Sequence, residues 1–288
     1  MNVARTVAQL QPAQRAIAIG TFDGVHLGHQ AVVRAAVDAG LRPAVVTFHP
    51  HPRSAFGNRV ELLSTLERRL ELLAEQGVED TLVVEFTLET ASLAPEQFAR
   101  DVLLAAGAEV VVAGVGFRFG RRREGDLALL RGLGIDARQV PLVEGVSSTR
   151  IRQHAHAGEV EAAARLLGRP LEVEGIVVDG DHRGGTLGFP TANLAVEADV
   201  LVPAFGIYAG AVGDSRAAIS IGVNPHYGGT ERRVEAYLLD WEGDLYGKRL
   251  VVELWQRLRE ERAFASEADL IAQIARDVEE TRDAVRPA

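Results

Sequence analysis

Two histidines three residues apart, His26 and His29, follow a glycine-rich turn, Gly20-Thr21-Phe22-Asp23-Gly24-Val25, and enclose Gly28. A turn of this kind opening a helix offers free backbone N–H groups to an anion, and two imidazoles on that first turn can donate to one phosphate together. The same residues allow two other readings. His26, His29, His49 and His51 can form a metal site, neutral imidazole being the commonest metal ligand, or can be surface histidines. Ser147-Ser148-Thr149-Arg150-Ile151-Arg152 has a similar character: hydroxyls and a guanidinium at a helix start can hold phosphates, or Ser147 can serve only as an N-cap. Glu235 sits inside an apolar strand pattern whose alternation puts Glu235 and Tyr237 on one face, as a base or as a solvent-facing residue. Thr191 and Asn193, alternating neighbours after Pro190, present a hydroxyl and an amide to one point or form a plain turn. Trp241 and Trp255 read as core, and Arg121-Arg122-Arg123 as a solvated or a phosphate-binding run.

Regular elements must position these groups. The apolar, β-branched runs Ala16–Gly20, Pro43–Phe48, Thr81–Phe86, Val110–Gly114 and Ile135–Val140 predict buried parallel strands. Helical segments fall between them: Ser64–Gln76, with a Ser64/Glu67 capping box, and Pro95–Ala106, with Gly107 past its end. This alternation predicts a doubly wound parallel sheet, a Rossmann-like domain. Past a helix at Glu159–Leu167, Gly168-Arg169-Pro170 is a stop signal. The segments Leu171–Val178, Ile207–Val212, Arg216–Ile221, Val234–Asp240 and Arg249–Arg257 then predict an antiparallel β-barrel closed by a helix at Ser266–Thr281. Two domains follow, 1–168 and 169–288.

The 288 residues are long enough for two cores, and 47% hydrophobic with 25% charged residues excludes a disordered, collagenous or coiled-coil chain. With 31 Lys and Arg against 40 Asp and Glu, the net charge of −9 disfavours a nucleic-acid partner. The absence of Cys removes disulfides, thiolate metal sites and Cys nucleophiles. No signal peptide or membrane span is predicted, so the expectation is a cytoplasmic protein without a membrane partner, and no protein partner is legible.

His26-Leu27-Gly28-His29 behind its glycine-rich turn resembles the signature of the adenylyl-transferring nucleotidyltransferases. With Val46-Thr47-Phe48-His49-Pro50-His51-Pro52 and Phe117-Arg118-Phe119-Gly120, the first half resembles the FMN adenylyltransferase module of the prokaryotic bifunctional riboflavin kinase/FAD synthetases. Gly188-Phe189-Pro190-Thr191-Ala192-Asn193, Gly222-Val223-Asn224-Pro225, Val234-Glu235-Ala236 and Asp244-Leu245-Tyr246-Gly247 resemble that family's riboflavin kinase module in the same order. The resemblance runs from about Ala16 to Arg282. It implies phosphorylation of riboflavin to FMN by ATP, then adenylyl transfer from ATP to FMN giving FAD and pyrophosphate.

The resemblance also implies residue roles. His26 and His29 are the catalytic pair of the first reaction site, with Gly20, Phe22, Asp23, Gly24, Gly28, Ser147, Ser148, Thr149 and Arg152 around ATP and its phosphates. Pro50, His51, Pro52 and Phe117 fall to the flavin. Glu235 is the base of the kinase, with Gly180, Arg183, Gly188, Thr191 and Asn193 around the nucleotide and Mg²⁺ on Thr191 with Asn193 nearby. A base is needed only there: the ribityl hydroxyl is weakly acidic, whereas the FMN phosphate is already anionic. The chain departs from the family's usual pattern at Gly116, Gly185 and His226, which predicts altered affinity with both activities kept. The alternatives are a kinase with impaired adenylyl transfer, a flavin-binding regulator, and a histidine-cluster metallohydrolase.

Overall fold

The computed structural model describes residues 1–180, 188–223 and 232–287. It forms two compact units, Met1–Val60 with Leu66–Val146, and Glu61–Thr65 with Ser147–Ala288.

The first unit is built on a six-stranded parallel sheet in the order β1-β4-β3-β2-β5-β6. Its strands are β1 (Asn2–Ala4), β2 (Arg15–Ile19), β3 (Arg42–His49), β4 (Asp80–Glu85), β5 (Ala108–Gly114) and β6 (Asp136–Val140). Alternation along β2 explains why the apolar runs lack a polar face. Ala16 and Ala18 join a core with Val32 and Val33 of α1 (Leu27–Val37) and Leu72 and Leu73 of α2 (Leu66–Glu75). Ile17 and Ile19 join another with Phe98, Leu103 and Leu130. Both faces are therefore covered, as a parallel sheet requires. The short α3 (Leu88–Ser92) precedes α4 (Pro95–Phe98), which begins with proline at its first turn and passes into a π-helical stretch, Ala99–Leu104; α5 (Leu127–Gly132) is capped by Asp126. The expected helix Pro95–Ala106 thus changes its hydrogen-bond register midway. The strand β1, three residues long, is too short to leave a periodic signal.

At the amino ends of the strands, Asp80 is buried between Arg15 at 2.9 Å and Arg42 at 2.6 Å. Burial alone raises the Asp80 pKa, but hydrogen bonds from Arg42, Arg15 and Asn2 and the Arg15 charge outweigh it and leave the carboxyl below its usual range.

The second unit opens with α6 (Ser148–Ala157) and α7 (Val160–Leu167), followed by a closed antiparallel barrel in the order β10-β11-β8-β7-β12-β9. Its strands are β7 (Leu171–Val178), β8 (Ala192–Ala195), β9 (Gly206–Val212), β10 (Ser215–Val223), β11 (Arg232–Leu238) and β12 (Arg249–Arg259), and the terminal helix is α8 (Glu267–Asp283). The division differs from the boundary expected at Gly168. Ile151, Ala155, Val160, Ala163 and Leu167 are buried in one core with Leu171, Val173 and Leu254, so the two helices before the stop signal belong with the barrel.

The segment Glu61–Thr65 also belongs to the second unit. Leu62 bridges Val200 in parallel, its N–H donating to Asp199 C=O and its C=O accepting from Leu201 N–H. Leu63 enters the barrel core, and the Thr65 hydroxyl donates to Glu174 at 2.7 Å. Arg152 Nε donates to Glu61 C=O at 2.5 Å, and the Glu61 carboxylate meets His156 at 2.8 Å. Among the described residues, no helix is long and apolar enough to cross a membrane.

Candidate active sites

In the first unit the glycine-rich turn leaves β2 at its carboxyl end, where Gly20 N–H donates to Val46 C=O. Phe22, Gly24 and Val25 all have positive φ, and Phe22, Asp23 and Val25 are buried. Left-handed backbone at two non-glycine residues is costly and persists only where the surroundings enforce it. His26 is the N-cap of α1: its Nδ1 accepts the His29 N–H at 3.2 Å. The two rings stack with centroids 3.6 Å apart and 13° between planes, and Phe22 meets His29 edge-on at 5.4 Å. A Cβ at Gly28 would stand 3.2 Å from the His26 ring, so glycine leaves that ring room to lie over the helix turn. His29 Nδ1 is buried without a hydrogen-bond partner. Burial, then the neighbouring His26, then Arg69 hold the His29 pKa well below its ordinary value, so the ring is neutral near pH 7.

Six phenylalanines form a continuous ladder on this unit. Phe56 meets Phe86, Phe86 meets Phe48, Phe48 meets Phe98, Phe98 meets Phe119, and Phe119 stacks on Phe117, with centroids 5.6–6.3 Å apart. Of the residues expected near flavin, Phe117 ends the ladder, Pro50 follows a cis peptide, and His51 Nδ1 accepts the Arg53 N–H in a turn with Pro52. Phe56, Phe86 and Phe98 lie in three separate segments with no common spacing, so the sequence does not place them beside Phe48, Phe117 and Phe119. Gly116 has φ +75°, a conformation that Asn and Asp also tolerate, so the departure there keeps the backbone. Arg121, Arg122 and Arg123 are exposed.

The four-histidine metal site, one of the alternative readings of the spacing, is not formed: among the described residues no group of three or more His, Cys, Asp or Glu is arranged to hold a metal.

In the second unit Ser147 caps α6, its hydroxyl accepting the Arg150 N–H at 3.2 Å, and Ser148 and Thr149 occupy the first helical positions. Barrel pairing brings the other residues together. Glu235 on β11 stands opposite Asn193 on β8 and Ser220 on β10. The Thr191 hydroxyl donates to Glu235 Oε2 at 3.3 Å, and Arg233 lies 3.6 Å from Oε1. Asn193 Oδ1 is buried without a hydrogen-bond partner. A Cβ at Gly180 would fall 2.2 Å from Asn193 Nδ2, so only glycine lets the amide lie against that backbone. Gly188, φ +87°, turns the chain toward Phe189, whose ring meets Tyr237 at 5.4 Å. Arg183, Gly185 and His226 lie outside the described residues. Both tryptophans are structural, as expected: Trp255 is buried under Arg216 and donates to Glu253, and Trp241 packs against the barrel core. An open cavity of about 330 Å³ beside α8 is lined by Phe264, Ala272, Arg262 and Arg276, among others.

The fold and these residues define a two-unit protein, an α/β unit with paired histidines at a helix start followed by a barrel with a glutamate beside a threonine hydroxyl. Residues 8–153 match the family model for FAD synthetase and residues 167–285 that for riboflavin kinase. The chain belongs to the bifunctional riboflavin kinase/FMN adenylyltransferase family. Proteins of that name from Listeria monocytogenes and Escherichia coli are 37% and 36% identical to it; the first alignment covers 93% of this chain and 91% of the relative, the second 96% of each. A solved structure described as a macrolide-efflux protein from Streptococcus pneumoniae matches with a TM-score of 0.86 and 32% identity over 98% of this chain and 99% of its own. The chain's activities are riboflavin kinase and FMN adenylyltransferase.

Proposed function

We propose that the two reactions use separate sites, adenylyl transfer in the first unit and riboflavin phosphorylation in the barrel unit, with riboflavin, FMN and ATP as the ligands. The observation that carries the kinase assignment is the buried, unpartnered Asn193 Oδ1 two residues from Thr191, whose hydroxyl lies on Glu235. A hydroxyl, an amide oxygen and a neighbouring carboxylate are the hard oxygen donors that Mg²⁺ takes while keeping several waters. Thr191 and Asn193 would hold that ion, which when bound neutralises charge on the phosphates of ATP. Glu235 is the general base: it takes the ribityl hydroxyl proton as that oxygen bonds to the γ-phosphorus and the bond from that phosphorus to the β,γ-bridging oxygen breaks, releasing ADP. The cavity beside Phe264 offers an aromatic wall for the flavin ring.

In the first unit the substrate phosphate is anionic and needs no base. His26 and His29 supply neutral N–H donors to the phosphates of ATP at the start of α1, and the phenylalanine ladder with Pro50, His51 and Pro52 receives the isoalloxazine. By family resemblance Ser147, Ser148, Thr149 and Arg152 fall to ATP phosphates. ATP as co-substrate and the absence of Cys favour the cytoplasm, and the net charge of −9 argues against a nucleic-acid partner.

Incubation with riboflavin, ATP and Mg²⁺, followed by separation of riboflavin, FMN and FAD, tests the reading. Both products are expected. Glu235→Ala is expected to slow FMN formation strongly while adenylylation of supplied FMN continues; simultaneous loss of both would overturn the separation of sites.

A further inference from the structure

The buried face of α2 consists of Arg69, Leu72 and Leu73, a cation among leucines. Arg69 is 1% exposed, and its Nη1 donates to Phe48 C=O at 3.3 Å. Phe48 lies at the carboxyl end of β3, the end at which open α/β sheets bind ligands. One residue earlier, the Thr47 hydroxyl donates to Thr21 C=O at 3.1 Å, and Val46 C=O accepts from Gly20 N–H. The end of β3 is thus tied to the glycine-rich turn on one side and to Arg69 on the other. A guanidinium stays protonated even when buried, so this is a fixed positive charge. ATP, FMN and the pyrophosphate released are all anions.

We propose that Arg69 is a positioning residue for adenylyl transfer, locking the carboxyl end of β3 against the glycine-rich turn and setting a permanent positive charge beside the His26–His29 pair. The proposal rests on the reading that this pair serves adenylyl transfer. Among the described residues, the titratable and charged groups acting on His29 are His26 from its own helix turn and Arg69 from α2. Both disfavour a proton on His29, so removing the Arg69 charge moves the His29 titration upward toward its ordinary range.

The test compares Arg69→Lys, Arg69→Gln, Arg69→Met and His29→Ala in the full chain. Adenylylation of supplied FMN, riboflavin phosphorylation and the histidine titration by NMR are measured for each. Arg69→Met is expected to lose on the order of 10²-fold in adenylyl transfer, the effect of misplacing a site by about 1 Å, with phosphorylation unchanged. Arg69→Lys restores most of the rate. Arg69→Gln keeps a donor for Phe48 without the charge, so it moves the His29 titration upward even where Arg69→Met fails to fold. Wild-type transfer in Arg69→Met, or an unmoved His29 titration in Arg69→Gln, overturns the proposal alone. Wild-type transfer in His29→Ala overturns the reading of the pair and the proposal with it.

Discussion

His26 accepts the backbone N–H of His29 at its Nδ1, 3.2 Å away, while the two imidazoles stack at 3.6 Å. A ring nitrogen that accepts must carry its lone pair, so the helix cap fixes His26 as the neutral tautomer with its proton on Nε2. One side chain therefore closes the helix through Nδ1 and carries its donor on Nε2.

The two roles of His26 separate by substitution. His26→Asn keeps a capping acceptor and is expected to retain stability while losing adenylyl transfer. His26→Ala loses the cap as well, at a further cost of about 1 kcal/mol. Thermal unfolding and FAD formation from supplied FMN read the two effects.

The depressed pKa of His29 makes folding sensitive to acid. Its ordinary value is 6.5 and the native value lies well below, so between the two the unfolded chain binds a proton that the native state does not. Stability is then flat above about pH 6.5 and falls as the pH drops below it. Comparing midpoints of unfolding at pH 7.5 and 5.5, His29→Asn should show a smaller acid loss than the parent chain.

Glu235→Ala should slow riboflavin phosphorylation by roughly 10²- to 10⁴-fold, the range for a general base. Gly180→Ala tests the cradle from the other side, since its Cβ would overlap the Asn193 amide. Its expected signature is a higher Mg²⁺ requirement for FMN formation, with FAD formation from supplied FMN unaltered.

Asp80→Asn should destabilise the first unit by about 3 kcal/mol, because it leaves Arg15 buried without its carboxylate partner. The native carboxyl lies below its ordinary 3.8, so its stabilisation is complete above that pH and is lost as the pH falls through the native value. Denaturant titration checks the first effect. Undiminished rates per folded molecule check that this end of the sheet is remote from the chemistry.

Legibility in the sequence followed the strength of the local signal. The strands β2 to β5 announced themselves because a sheet covered on both faces favours apolar residues along the strand, as Ala16, Ile17, Ala18 and Ile19 show, whereas the edge strand β6 exposes Asp136, Arg138 and Gln139. The histidine motif was legible because its residues are contiguous. Thr191, Asn193 and Glu235 are 44 residues apart at their extremes and meet only through barrel register, so spacing left them a turn and a strand, and family resemblance was needed to join them. Arg69 escaped because a buried cation sits within a helix read from its leucines. The boundary at Gly168 was a true helix stop, but a stop signal marks the end of an element and carries no information about which core the preceding helices enter.

Glu61–Thr65 has a consequence for how such a gene can change. A single cut anywhere in the coding sequence cannot yield the barrel unit entire, because this five-residue patch is encoded upstream of most of the other unit. A recombination that imports a new second half pairs the incoming Glu174 and Val200 with the resident Thr65 and Leu62. Thr65 and Glu174 meet side chain to side chain, so a change at one alters the partner of the other although the two are encoded 109 residues apart.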